Sequence, residues 1–107
     1  MDKELMKGSI DILLLSVISG REMYGYEIVK VLKEKSNDLY NMSEGTLYPA
    51  LKRLEKKKWL ESYWAELETG RRKYYRITDD GRYELDRKLG EWNSISNLIR
   101  NVSGELS

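Results

Sequence analysis

Apolar residues recur at helical spacing in three stretches of the first half of the chain. Met6, Ile10, Leu13, Leu14 and Val17 fall on one side of a helix, and Leu5, Ile12, Leu15 and Ile18 on a second. A helix apolar on two sides must be covered on two sides. One cover is the chain's own core, and the other suggests a second subunit. "SGRE" breaks this helix at Gly20. In "YGYEIVKVLKEKS", Ile28, Val31, Leu32 and Lys35 line one side, with Lys30, Lys33 and Glu34 opposite. That pattern predicts an amphipathic second helix. "NDLYN" then reads as a turn.

The third helical signal is "SEGTLYPALKRLEKKK". Leu47, Ala50, Leu51 and Leu54 run down one face, and Tyr48, Lys52, Glu55 and Lys56 fall on another. Ser43 is a suitable N-cap, with Glu44 favourable in the first turn. Pro49 leaves the start open. If Ser43 caps the helix, Pro49 lies beyond the first turn and one backbone bond is lost. If Thr46 caps it, the missing N–H is one the helix never uses.

After "KKKW" the pattern turns from helical to extended. "LESYWAEL" and "RKYYRI" are rich in aromatic and β-branched residues and are joined through "ETGR", which reads as a β-hairpin. With Ile77 pointing inward, the period of two puts Tyr75 and Lys73 on its side and Tyr74 and Arg76 on the other. Thr78 is a good N-cap for a last helix, with Asp79 and Asp80 in the first turn. That helix carries a stripe through Leu85, Leu89, Trp92, Ile95, Ser96 and Ile99 and on to Val102. A stripe this long needs a partner surface, for which the first helix, of the same chain or of a second copy, is the candidate.

Composition narrows the function. Of the 107 residues none is cysteine or histidine. This excludes a disulfide framework and thiolate metal ligation, and removes the commonest metal ligand and general base. With no carboxylate pair in an apolar setting either, no enzyme active site, metal or cofactor is expected. "IDILLLSVI" is about half a membrane span and contains Asp11 and Ser16. With no secretory signal pattern, a soluble cytoplasmic protein is expected. Net charge is +1 overall but +5 across residues 52–76, between flanks of −2 each. Such a basic middle is a local electrostatic footprint or an ordinary solvated surface.

The order helix, helix, helix, hairpin, helix is the outline of a winged helix, mainly α with a β-hairpin wing. In a helix-turn-helix the second helix of the motif enters the major groove. Here that places Ser43, Thr46 and Tyr48 toward base edges or phosphates, and Lys52 and Arg53 toward phosphates. The hairpin tip would carry Arg71, Arg72 and Lys73 to the flanking backbone or minor groove. Cations at an exposed tip improve no packing, which favours a contact over a structural role. Tyr48 as half-buried packing, Lys56–Lys58 as a solvated helix end, and Tyr75 and Ile77 as wing-to-core packing are the plainer alternatives.

"TLYPALKRLEKKKWLESYW" with "GRRKYYRITDDG", and "YGYEI" upstream, closely resembles the PadR family of bacterial transcriptional regulators, from about Gly8 to about Val102. With one last helix it resembles the small subfamily. The resemblance implies a homodimeric winged-helix repressor of a pseudo-palindromic operator, dimerising through the first and last helices (5–19 and 79–102). Residues 24–78 would form the DNA-binding core with its wing. It also implies that Thr46, Tyr48 and Lys52 contact DNA, with Gly70 to Lys73 forming the wing. Lys58 departs from the pattern, standing where glycine suits a helix C-cap. In small members a tryptophan of the last helix can stack a flat aromatic effector across the dimer axis. Here Trp92 either does so, with Ile10, Leu14, Leu89 and Ser96 around it, or only packs the dimer. Its helical neighbours at three and four positions, Lys88, Leu89, Ile95 and Ser96, include no carboxylate, so a neutral or anionic aromatic effector is expected, or none. The rival reading is a winged-helix protein-interaction module that does not bind DNA. Lys52, Arg53 and the basic tip argue against it.

Overall fold

The computed structural model describes residues 8–104. Four helices and a three-stranded antiparallel sheet follow one another as α1 (Ile10–Gly20), β1 (Met23–Tyr24), α2 (Gly25–Lys35), α3 (Glu44–Lys56), β2 (Leu60–Leu67), β3 (Gly70–Ile77) and α4 (Asp79–Val102). This is a winged helix. Leu5 and Met6, which the pattern assigns to the first helix, lie outside the described residues.

The core sits where α1, α2 and α3 converge on the inner face of the sheet. It is built from Leu14, Leu15, Ile18, Ile28, Leu32, Leu47, Leu51, Leu54 and Leu60, with Tyr75 from the wing. The inward face of α1 draws on both apolar sides read from the sequence, because Leu14, Leu15 and Ile18 are all buried. Ile10, Ile12, Leu13 and Val17 are half-buried.

Ser43 caps α3: its hydroxyl oxygen accepts from the Thr46 amide at 3.2 Å. Pro49 is therefore the sixth residue of the helix, and the bond its N–H would make to the Gly45 carbonyl is absent. A proline inside a helix costs about 3 kcal/mol. Burying Leu47, Leu51 and Leu54 contributes about 1.5–3 kcal/mol each, so packing outweighs the lost bond.

The end of α3 resolves the Lys58 departure. Lys58 adopts φ 65°, the left-handed conformation for which glycine is favoured. Its amide donates to the Glu55 carbonyl at 2.9 Å, and the Trp59 amide donates to the Leu54 carbonyl at 3.1 Å. The chain thus closes the helix with a Schellman motif and bears the strain of a Cβ there.

The sheet order is β1-β3-β2. Leu67 pairs with Gly70, whose φ of 118° provides the backbone turn for the tip. The added strand β1 places Met23 opposite Tyr75 and Tyr24 opposite Tyr74. Thr78 caps α4 by accepting from the Gly81 amide at 2.9 Å, and its hydroxyl donates to the Lys58 carbonyl at 2.7 Å. Beyond Leu85, α4 leaves the core with Leu89, Trp92, Ile95, Ile99 and Val102 exposed.

Candidate nucleic-acid interface

One face of the molecule is shared by α3 and the inner side of β3. Residues three and four apart on α3 bring Tyr48, Lys52, Glu55 and Lys56 into line, and the strand period brings Lys73 and Tyr75 opposite them. Together they border an open groove of about 760 Å³. Lys52 and Lys56 make no ion pair among the described residues. Glu55 accepts from the Ser62 hydroxyl at 2.6 Å and lies 4.0 Å from Lys73 Nζ. It therefore ties α3 to both wing strands. Burial, followed by the nearby Glu55 carboxylate, pushes the Tyr75 phenol above its usual range and keeps it neutral at any physiological pH.

The α3 residues expected to face DNA divide into two groups. Ser43 and Thr46 sit at the helix N-terminus, where their hydroxyls lie 3.2 Å apart. Tyr48 is 47% exposed, and its ring rests against Gly25 at the start of α2. Tyr48 and Lys52, four residues apart, open on one side of α3 and border the groove, which Ser43 and Thr46 do not line. Arg53 does not join them. It pairs with Asp11 of α1 on the opposite flank of α3, where it fastens α3 to the first helix.

The wing corrects one inference drawn from the sequence. Its cations do pack. The Arg71 guanidinium lies 4.6 Å from the centre of the Trp64 ring, with Nε 3.2 Å from Glu66. Arg72 lies 5.6 Å over Tyr24, and Lys73 5.8 Å over Tyr75. The cause is register. Trp64 pairs with Lys73 and Tyr24 with Tyr74, so Arg71 and Arg72 are diagonal neighbours of those rings. Exposed contacts of this kind are worth about 0.5–1 kcal/mol, and exposed ion pairs about the same or less. Such contacts hold the guanidinium groups in place without tying them up.

The outer face of the sheet carries a row of tyrosines, Tyr24, Tyr74 and Tyr63, with ring centres 5.5 and 5.7 Å apart. The Tyr63 hydroxyl donates to Glu22, and that bond is the main cause that raises its phenol above the ordinary value. Sequence reasoning assigned no role to Tyr24, Gly25 or Glu55. The signal for the first two was the "YGY" at the start of α2, whose contacts lie in other elements.

Around Trp92 the arrangement differs from expectation. Trp92 is 44% exposed and helps to line an apolar cavity of about 300 Å³ with Ile12, Leu13, Leu32 and Tyr40, and with Lys35 at its border. Leu14 is fully buried in the core and cannot line an open site. Ile10 and Ser96 are half-buried and Leu89 is exposed, but none of the three lines this cavity.

The sequence model of the Transcriptional regulator PadR-like family matches residues 14–87. The chain belongs to this family. A transcriptional regulator from Clostridium thermocellum is 38% identical, with 92% of this chain and 97% of that one covered and a TM-score of 0.86. A PadR family transcription regulator from Clostridium difficile is also 38% identical, covering 91% of this chain and 100% of its own, with a TM-score of 0.78. A PadR-like regulator from Bacillus cereus is 33% identical over 95% of this chain and 98% of its own, at a TM-score of 0.82. This PadR-like protein is a DNA-binding transcriptional regulator and not an enzyme. Among the described residues no helix is long and apolar enough to cross a membrane.

Proposed function

We propose that this PadR-like protein is a cytoplasmic homodimeric repressor that binds a pseudo-palindromic operator through α3 and the wing. Ser43, Thr46, Tyr48 and Lys52 meet the major groove, and Gly70 turns the tip so that Arg71, Arg72 and Lys73 reach flanking phosphates. The observation that carries this reading is the groove between α3 and β3, where the unpaired Lys52 and Lys56 run on toward the basic tip. Arg53, held by Asp11, contributes by supporting α3.

The exposed stripe of α4 supports dimerisation with the first helix of a second copy. A stripe through Leu89, Trp92, Ile95 and Ile99 is too apolar to remain in water. Half-sites then lie about 34–36 Å apart, one helical turn. The cavity beside Trp92, apolar with Lys35 at its border, supports a small neutral or anionic aromatic effector that releases the operator.

Selection of bound duplexes from a random pool, repeated with aromatic ligands present, tests the whole reading. The expected result is an inverted repeat with that spacing, whose enrichment falls with the effector. A pool with no enriched repeat would contradict it. Quenching of Trp92 fluorescence reads the effector separately, and no response across a broad aromatic panel leaves Trp92 as packing.

A further inference from the structure

Gly25 is the first residue of α2, and its backbone does not require glycine. The glycines with positive φ among the described residues are Gly70 and Gly104. Alanine is the better helix former. What occupies the space of a side chain at position 25 is Tyr48. A Cβ on Gly25 would overlap the Tyr48 hydroxyl and lie 3.0 Å from Cζ and 3.2 Å from Cε1. The Tyr48 ring from the recognition helix therefore sits in the notch that this glycine leaves. The residue before it, Tyr24, caps α2 and carries Arg72 of the wing on its ring. Two consecutive residues thus seat one side chain from α3 and one from the wing.

We propose that Gly25 is a positioning residue for DNA recognition, lacking a side chain so that the hydroxyl end of the Tyr48 ring seats against α2 and fixes how the ring is presented to DNA. This rests on the reading above that Tyr48 contacts DNA. A methyl group at position 25 tilts the ring outward and leaves the Arg72 seat on Tyr24 in place. The loss should therefore fall on operator affinity, by about tenfold, the size of one base-level contact. Affinity for random duplex should change little.

The test is a double-mutant cycle of Gly25→Ala and Tyr48→Ala, measured on the selected operator and on random duplex. Each single variant is expected to weaken operator binding about tenfold, and the double variant is expected to bind no more weakly than Tyr48→Ala alone. A Gly25→Ala protein that binds like the parent, or whose loss adds in full to that of Tyr48→Ala, overturns the positioning role while leaving the Tyr48 contact standing. If Tyr48→Ala leaves operator binding unchanged, the contact itself fails and the inference falls with it. Thermal unfolding of the four proteins checks the notch without DNA. Gly25→Ala should lower the midpoint when Tyr48 is present and raise it in the Tyr48→Ala background, because the overlap is gone and helix propensity remains. A rise in both backgrounds overturns the proposal.

Discussion

Replacing Lys58 by glycine should make the protein more stable. Lys58 holds φ 65° at the end of α3, and a side chain in that conformation costs roughly 1–2 kcal/mol. Glycine removes that cost but loosens the unfolded chain, which takes back about 0.4–1 kcal/mol. The net gain is about 0.5–1 kcal/mol. For a domain of this size that raises the unfolding midpoint by about 4 °C. The amide bonds from Lys58 to Glu55 and from Trp59 to Leu54 involve only backbone and survive the change. Melting curves should be recorded at one protein concentration, since any association of copies makes the midpoint depend on it. Lys58→Ala is the control: it removes the same charge and keeps the Cβ. If Lys58→Gly melts no higher than Lys58→Ala, the strain assigned to this turn is not there.

Three further outcomes follow from the packing and the titratable groups. Gly81→Ala should destabilise by about 1–3 kcal/mol in urea unfolding, because a Cβ there would overlap the Trp59 carbonyl and lie 2.8 Å from Ile77 Cγ1; unchanged stability would contradict the close approach of α4. The chain has no histidine, and the phenols of Tyr75 and Tyr63 are raised, by burial with Glu55 and by the hydrogen bond to Glu22. A raised phenol favours the neutral form, so its contribution is complete below the unfolded value of about 10 and is lost above it. Stability should be flat through neutral pH and fall in alkali, and a transition near pH 7 would contradict this. Ile95→Glu with Ile99→Glu should give a monomer by light scattering, since two carboxylates would enter an apolar contact; an unchanged dimer mass would show that the α4 stripe is not the interface.

Periodicity made the helices and the hairpin legible. Leu47, Ala50, Leu51 and Leu54 fall inward as their spacing requires, and Thr78 and Ser43 are caps by type and by geometry. Strand β1 was not legible, because two residues show no alternation and Met23 and Tyr24 become a strand only by pairing with β3. The same limit hid the stacking of Arg71 and Arg72, whose rings are supplied by cross-strand neighbours. It also hid the pairing of Arg53 with Asp11, 42 positions apart. Type and spacing marked Arg53 as a phosphate contact, and tertiary structure turned it toward α1. Leu14 shows the ambiguity of a helix apolar on two sides, since only packing decides which residues of each side meet the core. Around Trp92, the residues expected from the sequence lie on α1 and α4, while the cavity there is also lined by Leu32 of α2 and Tyr40 of the turn after it.

The central claim is that α3 and the wing grip duplex DNA, and salt dependence tests it most directly. Binding of the parent protein and of the Arg71→Ala, Arg72→Ala double variant should be measured on the selected operator over a series of salt concentrations. Each phosphate contact removed should flatten the slope of log K against log salt by about 0.9, with weaker binding to every sequence. An unchanged affinity and slope in the double variant would contradict the account.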